Sequence, residues 1–328
     1  LWETGEYVSQ RRCDGVSRKG RPSMRVLITG AGGNLGRVLA PALATRGHEP
    51  VLLDNRPLET PYSFQLGDAT NKEDIFKAVQ GADAVVHGAA LHGIHLAKYT
   101  ADDFWKLNVT GTHYIYEAAK AHGVKKVLLC STMGVYGESI VPQVDGVAVV
   151  TEALPLKPAD IYGLSKKLCE ELADFYSRRY GVQTIAYRLG MFVPEDFVRY
   201  GFRLLKGGVD DRDVAQAFLL GLENESIYFG AFNIMAEVPF APEAFARLKR
   251  DPKGVLEERY PGVTELVAAR GLDLDEMLEM WGFTYWSVEK AKRELGYRPK
   301  HNFSEFYAAL KEGDESYYPF ANLPWWGA

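Results

Sequence analysis

The sequence predicts an α/β protein, a doubly wound parallel sheet with a smaller, mainly helical C-terminal lobe. Three observations predict it. From residue 25, short aliphatic and β-branched runs alternate with longer amphipathic stretches. The short runs are largely apolar, as strands covered on both faces must be. A glycine-rich stretch, TGAGGNLG, joins the first run to the first amphipathic segment.

In chain order, RVLITG reads as a strand, GRVLAPALATRGH as a helix and EPVLLD as a strand. A third strand precedes LGDATN, then come the helix KEDIFKAVQG and the strand DAVVHGAA. WKLNVTGTHYIYEAAKAHG has helical periodicity and leads into the strand VKKVLLCS; SKKLCEELADFYSRRYG and QTIAYRLG repeat the unit. After Gly190 the rhythm changes. DVAQAFLLGLEN and AFNIMA supply one more helix and strand, while residues 237–285 are mainly helical with Pro and Gly punctuation. The expected organisation is a sheet domain over 24–190, to which 209–236 returns, and a second lobe from 191–208 and 237–328. Residues 1–23 have no periodicity and read as an extension outside the fold.

Composition narrows the function. The chain has 328 residues, 47% hydrophobic and 25% charged, with net charge -5, which suits a large core with an appended lobe. A pI near 5.9 without basic blocks argues against nucleic acid as a partner. No run of about 18 apolar residues is present, so no membrane helix is expected. Cys13, Cys130 and Cys169 lack the number and spacing of a disulfide framework or a zinc site. A reducing cytoplasm is the expected location.

In TGAGGNLG, Gly30, Gly33 and Gly36 fit G-x-x-G-x-x-G between a strand and a helix that begins near Asn34. Glycine there lets the backbone turn tightly, approach a pyrophosphate and pack the helix on the sheet, the Rossmann-type arrangement. Backbone N–H groups at the helix N-terminus then hold phosphate charge. The same glycines also suit a plain turn that packs a helix closely. Asp54, at the end of EPVLLD about 18 residues past the loop, is placed to accept hydrogen bonds from both hydroxyls of an adenosine ribose. A 2'-phosphate would meet like charge there, so Asp54 favours NAD over NADP. Arg37 and Arg56 are nearby cations that either soften this preference or lie on the surface. Asp68 either contacts the adenine or caps the helix after Thr70.

The glycine loop, Asp54, Asp68, HGAA at 87–90, NVTGT at 108–112, STMGVYG at 131–137 and YGLSK at 162–166 resemble, in that order, the extended short-chain dehydrogenase/reductases, the NAD-dependent epimerase/dehydratase family. The match covers roughly residues 25–236. It implies a cofactor lining of Gly30, Gly33, Asn34, Leu35, Gly36, Asp54, Asp68 and Ala89, completed by Tyr162 and Lys166. It also implies a catalytic set of Thr132, Tyr162, Lys166 and Asn108, and a homodimer formed through the helices around 101–121 and 163–180.

Spacing alone does not single out Tyr162 and Lys166, because Tyr116 and Lys120 share it. Position does. Hydride transfer takes place at the carboxyl ends of the strands. Tyr162 follows the strand VKKVLLC and its loop and starts a helix. Tyr116 and Lys120 lie in the preceding helix, where they are expected to form a surface pair.

Tyrosine titrates near 10, and a neighbouring ammonium together with a positive nicotinamide ring favours the phenolate. The resemblance implies that Lys166 supplies this charge and binds the nicotinamide ribose. Thr132, with Ser131 as the near alternative, would hydrogen-bond the reacting oxygen. Asn108 helps place the lysine through water, or is an ordinary helix residue. Tyr162 then removes a hydroxyl proton as hydride passes to NAD. His92 and His95 stand i, i+3 without an acidic or cysteine partner. They are expected in a loop over the substrate, with His92 a substrate candidate and no metal.

Only about 20 residues separate the strand ending at Gly190 from the next sheet helix, leaving little chain to grip a second nucleotide. R-L-G-x-x-x-P-E, from Arg188 to Glu195, resembles uronate dehydrogenases, which oxidise the anomeric carbon of a free sugar acid. Arg199 or Arg203 would then pair with a substrate carboxylate. Two departures stand out: Met191 replaces a serine common in those enzymes, and Arg199 is one residue off the expected arginine. The expected function is NAD-dependent oxidation of a free sugar or sugar acid. The alternatives are a nucleotide-sugar epimerase or dehydratase that recycles its NAD and, from another class, an NAD-sensing regulatory protein. The aromatic tail SYYPFANLPWWGA either packs, contacts a second subunit or stacks on a sugar.

Overall fold

The computed structural model describes residues 22–142, 146–279 and 281–321. Cys13, nearly all of the N-terminal extension and the last seven residues of the aromatic tail lie outside them. The chain order begins β1 (Arg25–Thr29), α1 (Asn34–Thr45), β2 (Glu49–Asp54), β3 (Ser63–Leu66), α2 (Lys72–Val79) and β4 (Ala84–His87). There follow α3 (Ala101–Phe104), a π-helical stretch Trp105–Thr110, α4 (Gly111–His122), β5 (Lys126–Thr132), β6 (Ala148–Val150), α5 (Ile161–Tyr180) and β7 (Gln183–Leu189). The remaining main elements are α6 (Phe197–Arg203), α7 (Asp211–Glu223), β8 (Phe229–Ile234), α8 (Phe245–Arg250), α9 (Pro252–Arg259), α10 (Val263–Ala268), α11 (Leu274–Met277), β9 (Thr284–Trp286) and α12 (Phe303–Glu312).

Seven strands pair in the order β3-β2-β1-β4-β5-β7-β8, every pairing parallel. The reason is the apolar continuity of the strands: Val26, Leu27 and Ile28 are all fully buried, so both faces of β1 need cover. Helices α1 and α7 pack together on one face, and α2, α4 and α5 on the other. Strand order reverses between β1, which leads outward to β2 and β3, and β4, which returns to the other side of β1. Such a switch opens a crevice at the carboxyl ends of the strands, where an α/β sheet binds its ligand.

Two details depart from the sequence reading. The helix expected from Trp105 begins a turn earlier, at Ala101, because Thr100 and Asp103 form a reciprocal capping box. A second parallel sheet, β6 with β9, pairs Ala148 with Thr284 and Val150 with Trp286; runs of three residues carry too little periodicity to be seen. An apolar cluster separate from those of the sheet gathers α6, α8 to α12 and their connections around Phe202, Phe245, Leu256 and Phe306.

Candidate active site

The cofactor end is built by backbone. Gly30 follows β1 with φ +66°, and a Cβ there would stand 2.7 Å from the backbone of Ala89. A side chain at Gly36 would run into the Ala31 carbonyl. Both are steric demands that only glycine meets. Helix α1 has Gly33 at its N-cap, no side-chain cap and no acid in its first turn. By contrast α2, α5, α6 and α7 are each capped by an Asn or Asp side chain. An open first turn of this kind is what an anion requires.

Asp54 stands at the other end, 7% exposed. Its Oδ2 accepts from Gly32 N at 2.9 Å and its Oδ1 from Arg56 N at 3.1 Å, so each oxygen is oriented and keeps a lone pair for a ribose hydroxyl. The Arg56 guanidinium lies 3.9 Å from it. Arg37 instead feels Asp211 and Tyr318. Asp68 is not the helix cap: Asn71 caps α2, accepting from Glu73 N, while Asp68 Oδ1 accepts from Thr70 N at 2.8 Å. Asp54, Asp68 and Ala89 line one groove, which meets a second cleft at Gly30, Gly33, Gly88 and His92. The uncapped helix, the glycine cradle and the oriented carboxylate fit a dinucleotide laid along this path.

The second cleft holds Asn34, Leu35, Ser131, Thr132, Tyr162 and Lys166. Asp160 caps α5 through Gly163 N at 2.7 Å, which places Tyr162 in its first turn and Lys166 one turn on. Lys166 is 3% exposed and donates from Nζ to the Cys130 carbonyl at 2.9 Å. Burial lowers its affinity for a proton. Burial also pushes the Tyr162 phenol up to about 12, against the pull of the Thr132 hydroxyl beside it. Desolvation is thus the largest influence on this phenol in the free protein and favours its protonated form. The near alternative, Ser131, is engaged elsewhere: its hydroxyl donates to Glu170 Oε1 at 2.5 Å.

Asn108 is buried and sits in the π-helical stretch, a distortion frequent at functional sites. Its Oδ1 accepts from Leu91 N at 2.8 Å, and its Nδ2 donates to Leu91 O and to Ser165 Oγ at 2.9 Å. It thus ties the loop after β4 to the residue preceding Lys166. His92 stands with its ring centroid 5.9 Å from that of Tyr162, and His95 Nδ1 accepts from His92 N at 2.8 Å. The i, i+3 spacing of the histidines serves a tight turn.

Other sequence readings are corrected. Tyr116 is fully buried, its hydroxyl 3.0 Å from Thr184 Oγ1, so it is a core residue and not a surface one; Lys120 is exposed and pairs with Glu117 at 3.4 Å. Neither Arg199 nor Arg203 lines the cleft. Arg199 is exposed and bonded to Asp196 at 2.5 Å. Arg203 is buried, 3.1 Å from Glu195, and donates to the Val193 carbonyl. Both residues have a carboxylate of their own chain before any substrate arrives.

The sequence reading missed two buried polar networks. In one, Glu170 on α5 accepts from Ser131 on β5 and pairs with Arg188 on β7 at 2.7 Å; Arg188 also donates to Tyr136, which donates to Asn233 on β8. In the other, Thr29, His87 and Thr112 bond in series, and burial, then the Lys166 charge, lowers His87 to about 3, keeping it neutral. The available signal was a charged or polar residue within each otherwise apolar strand.

Residues 26–196 match the model of the NAD dependent epimerase/dehydratase family. The chain belongs to this family. It is an enzyme family, and NAD is its cofactor. A uronate dehydrogenase of Pseudomonas syringae pv. tomato is 29% identical over 239 residues, covering 68% of this chain and 82% of that one. An L-arabinose 1-dehydrogenase (NAD(P)(+)) of Haloferax volcanii is 32% identical over 182 residues, 53% of this chain and 70% of that one. In fold, the chain is similar to a short-chain dehydrogenase/reductase superfamily protein from Agrobacterium tumefaciens solved with bound NAD. The TM-score is 0.67 at 23% identity, over 89% of this chain and 96% of that one.

Proposed function

We propose that this enzyme oxidises a hydroxyl of a free sugar or sugar acid with NAD. The observation that carries the reading is the meeting of Thr132, Tyr162 and Lys166 in the cleft that continues the Asp54 groove. The relatives named for uronate and L-arabinose support the substrate class. NAD, when bound, accepts the hydride. Thr132 and Tyr162 orient the substrate hydroxyl, and the Tyr162 phenolate takes its proton as the carbon becomes a carbonyl. Since burial alone keeps the phenol protonated, the base form depends on the positive charges of Lys166 and the cofactor. Asn108 acts through Ser165 to hold the start of α5. Asp54 binds the adenosine ribose, the α1 N-terminus the pyrophosphate, and Asp68 and Ala89 border the cofactor.

We also propose that 24–190 with 209–236 form the cofactor domain, and 191–208 with 237–328 the substrate lobe. The separate apolar clusters support this, except that Val288, Ala291, Leu295 and Tyr297 pack with the sheet. A homodimer is proposed on resemblance alone. Among the described residues no helix is long and apolar enough to cross a membrane.

The test is absorbance at 340 nm with NAD and a panel of free pentoses, hexoses and uronic acids. A rise that Tyr162→Phe abolishes supports the reading. A flat trace from protein that binds NAD contradicts it. The family description favours one second reading, a nucleotide-sugar epimerase or dehydratase, which would convert its substrate without accumulating NADH.

A further inference from the structure

A second cavity adjoins the catalytic cleft, and Met133 and Met191 belong to the walls of both. Its far side comes from the turn after α6, the helical stretch before β9 and β9 itself: Leu205, Trp281, Phe283 and Trp286 supply apolar surface, and Glu276, Glu279 and Lys206 the charges. This chamber lies beyond the reacting hydroxyl, and the proton and hydride chemistry has no use for it.

We propose that this chamber is a subsite for the non-reacting end of the substrate, and that it takes a neutral group with an apolar face, such as a second sugar ring. The inference rests on the dehydrogenase reading and extends it to substrate length and charge. The chemistry of the walls selects the occupant. Indole and methionine surfaces pack against the C–H face of a sugar ring or against an aromatic group. Trp281, only 2% exposed, forms a firm wall of the chamber beside Phe283 and Trp286. Anions are disfavoured, because two carboxylates face one ammonium, and burial lowers the affinity of Lys206 for its proton. The diphosphate of a nucleotide sugar would meet like charge in this chamber. The charges of this chamber therefore point to an uncharged group at the non-reacting end of a substrate longer than one ring.

The test compares kcat/KM for a neutral monosaccharide with that for a neutral reducing disaccharide, and for one ending in a uronate. Expected is at least a tenfold preference for the neutral disaccharide over both. Thr284→Trp, which fills the chamber from β9, should remove that preference while the monosaccharide rate stays within about twofold. In case Thr284→Trp fails to fold, Glu276→Lys with Glu279→Lys changes only exposed positions. This double variant should raise kcat/KM for the uronate-ended disaccharide at least tenfold. Monosaccharide turnover with no preference for the disaccharide, or a preference that survives both variants unchanged, overturns the subsite. Absence of NADH with every sugar overturns the dehydrogenase reading instead.

Discussion

Tyrosine and lysine stand four residues apart at three places in this chain, and two of them, in α4 and α5, lie on neighbouring helices that pack together. In α5, Tyr162 sits in the first turn at the rim of the cleft, and Lys166 is buried with its ammonium on the Cys130 carbonyl. In α4 the exposure is inverted: Tyr116 is buried against Thr184 and Lys120 is out in solvent. Their carboxylate neighbours differ in the same way. Glu170, one turn past Lys166, holds Ser131 and Arg188 in the interior, whereas Glu117 pairs with Lys120 at the surface. Identical spacing thus brings the pair to a cleft in α5 and leaves it divided between core and surface in α4. A buried ammonium beside a half-buried phenol that lines the cleft is the combination we propose for proton transfer.

Breaking the two pairs should separate them sharply. Tyr162→Phe removes the proton acceptor and should lower kcat by about 100- to 10,000-fold, with NAD binding unchanged in a fluorescence titration. Glu170→Gln leaves Arg188 buried without its counter-charge, and should cost about 3–5 kcal/mol of stability in urea unfolding. Tyr116→Phe deletes one buried hydrogen bond, at about 1 kcal/mol, and leaves turnover intact. Lys120→Ala should fall within about 0.5 kcal/mol of the parent, since exposed i, i+3 pairs contribute little.

Alkaline pH sharpens the comparison further. Burial raises both phenols above the ordinary value near 10. A phenol raised by folding adds stability that is complete below pH about 10 and disappears as pH rises through the folded value. Unfolding free energy should therefore decline above pH 10, and less steeply in Tyr116→Phe. For Tyr162, NAD adds positive charge to the cleft, so the phenolate absorbance that distinguishes the parent from Tyr162→Phe should appear at lower pH when NAD is present.

Much of this was legible in the chain. Apolar strands alternating with amphipathic helices carried the sheet, and the glycine spacing with Asp54 carried the groove, because these obey local steric and burial rules. Thr132, Tyr162 and Lys166 were legible as an ordered set of landmarks. The burial of Tyr116 was not, since the residues that cover it, Thr184 among them, are far away in sequence. Arg203 illustrates the same limit. Its charge suggested a substrate contact, yet Glu195, eight residues before it, already lies 3.1 Å away. The second chamber draws on Met133, Met191, Leu205 and Trp286, positions that only the closed fold brings together.

The most direct test of the distinction is NADH formation at 340 nm by the parent, Tyr162→Phe and Tyr116→Phe, run in parallel on the best free sugar of the panel. Loss of the signal in Tyr162→Phe with the Tyr116→Phe rate preserved is the predicted result. Comparable rates from the parent and Tyr162→Phe, in folded proteins that bind NAD, would contradict the assignment of Tyr162 as the base.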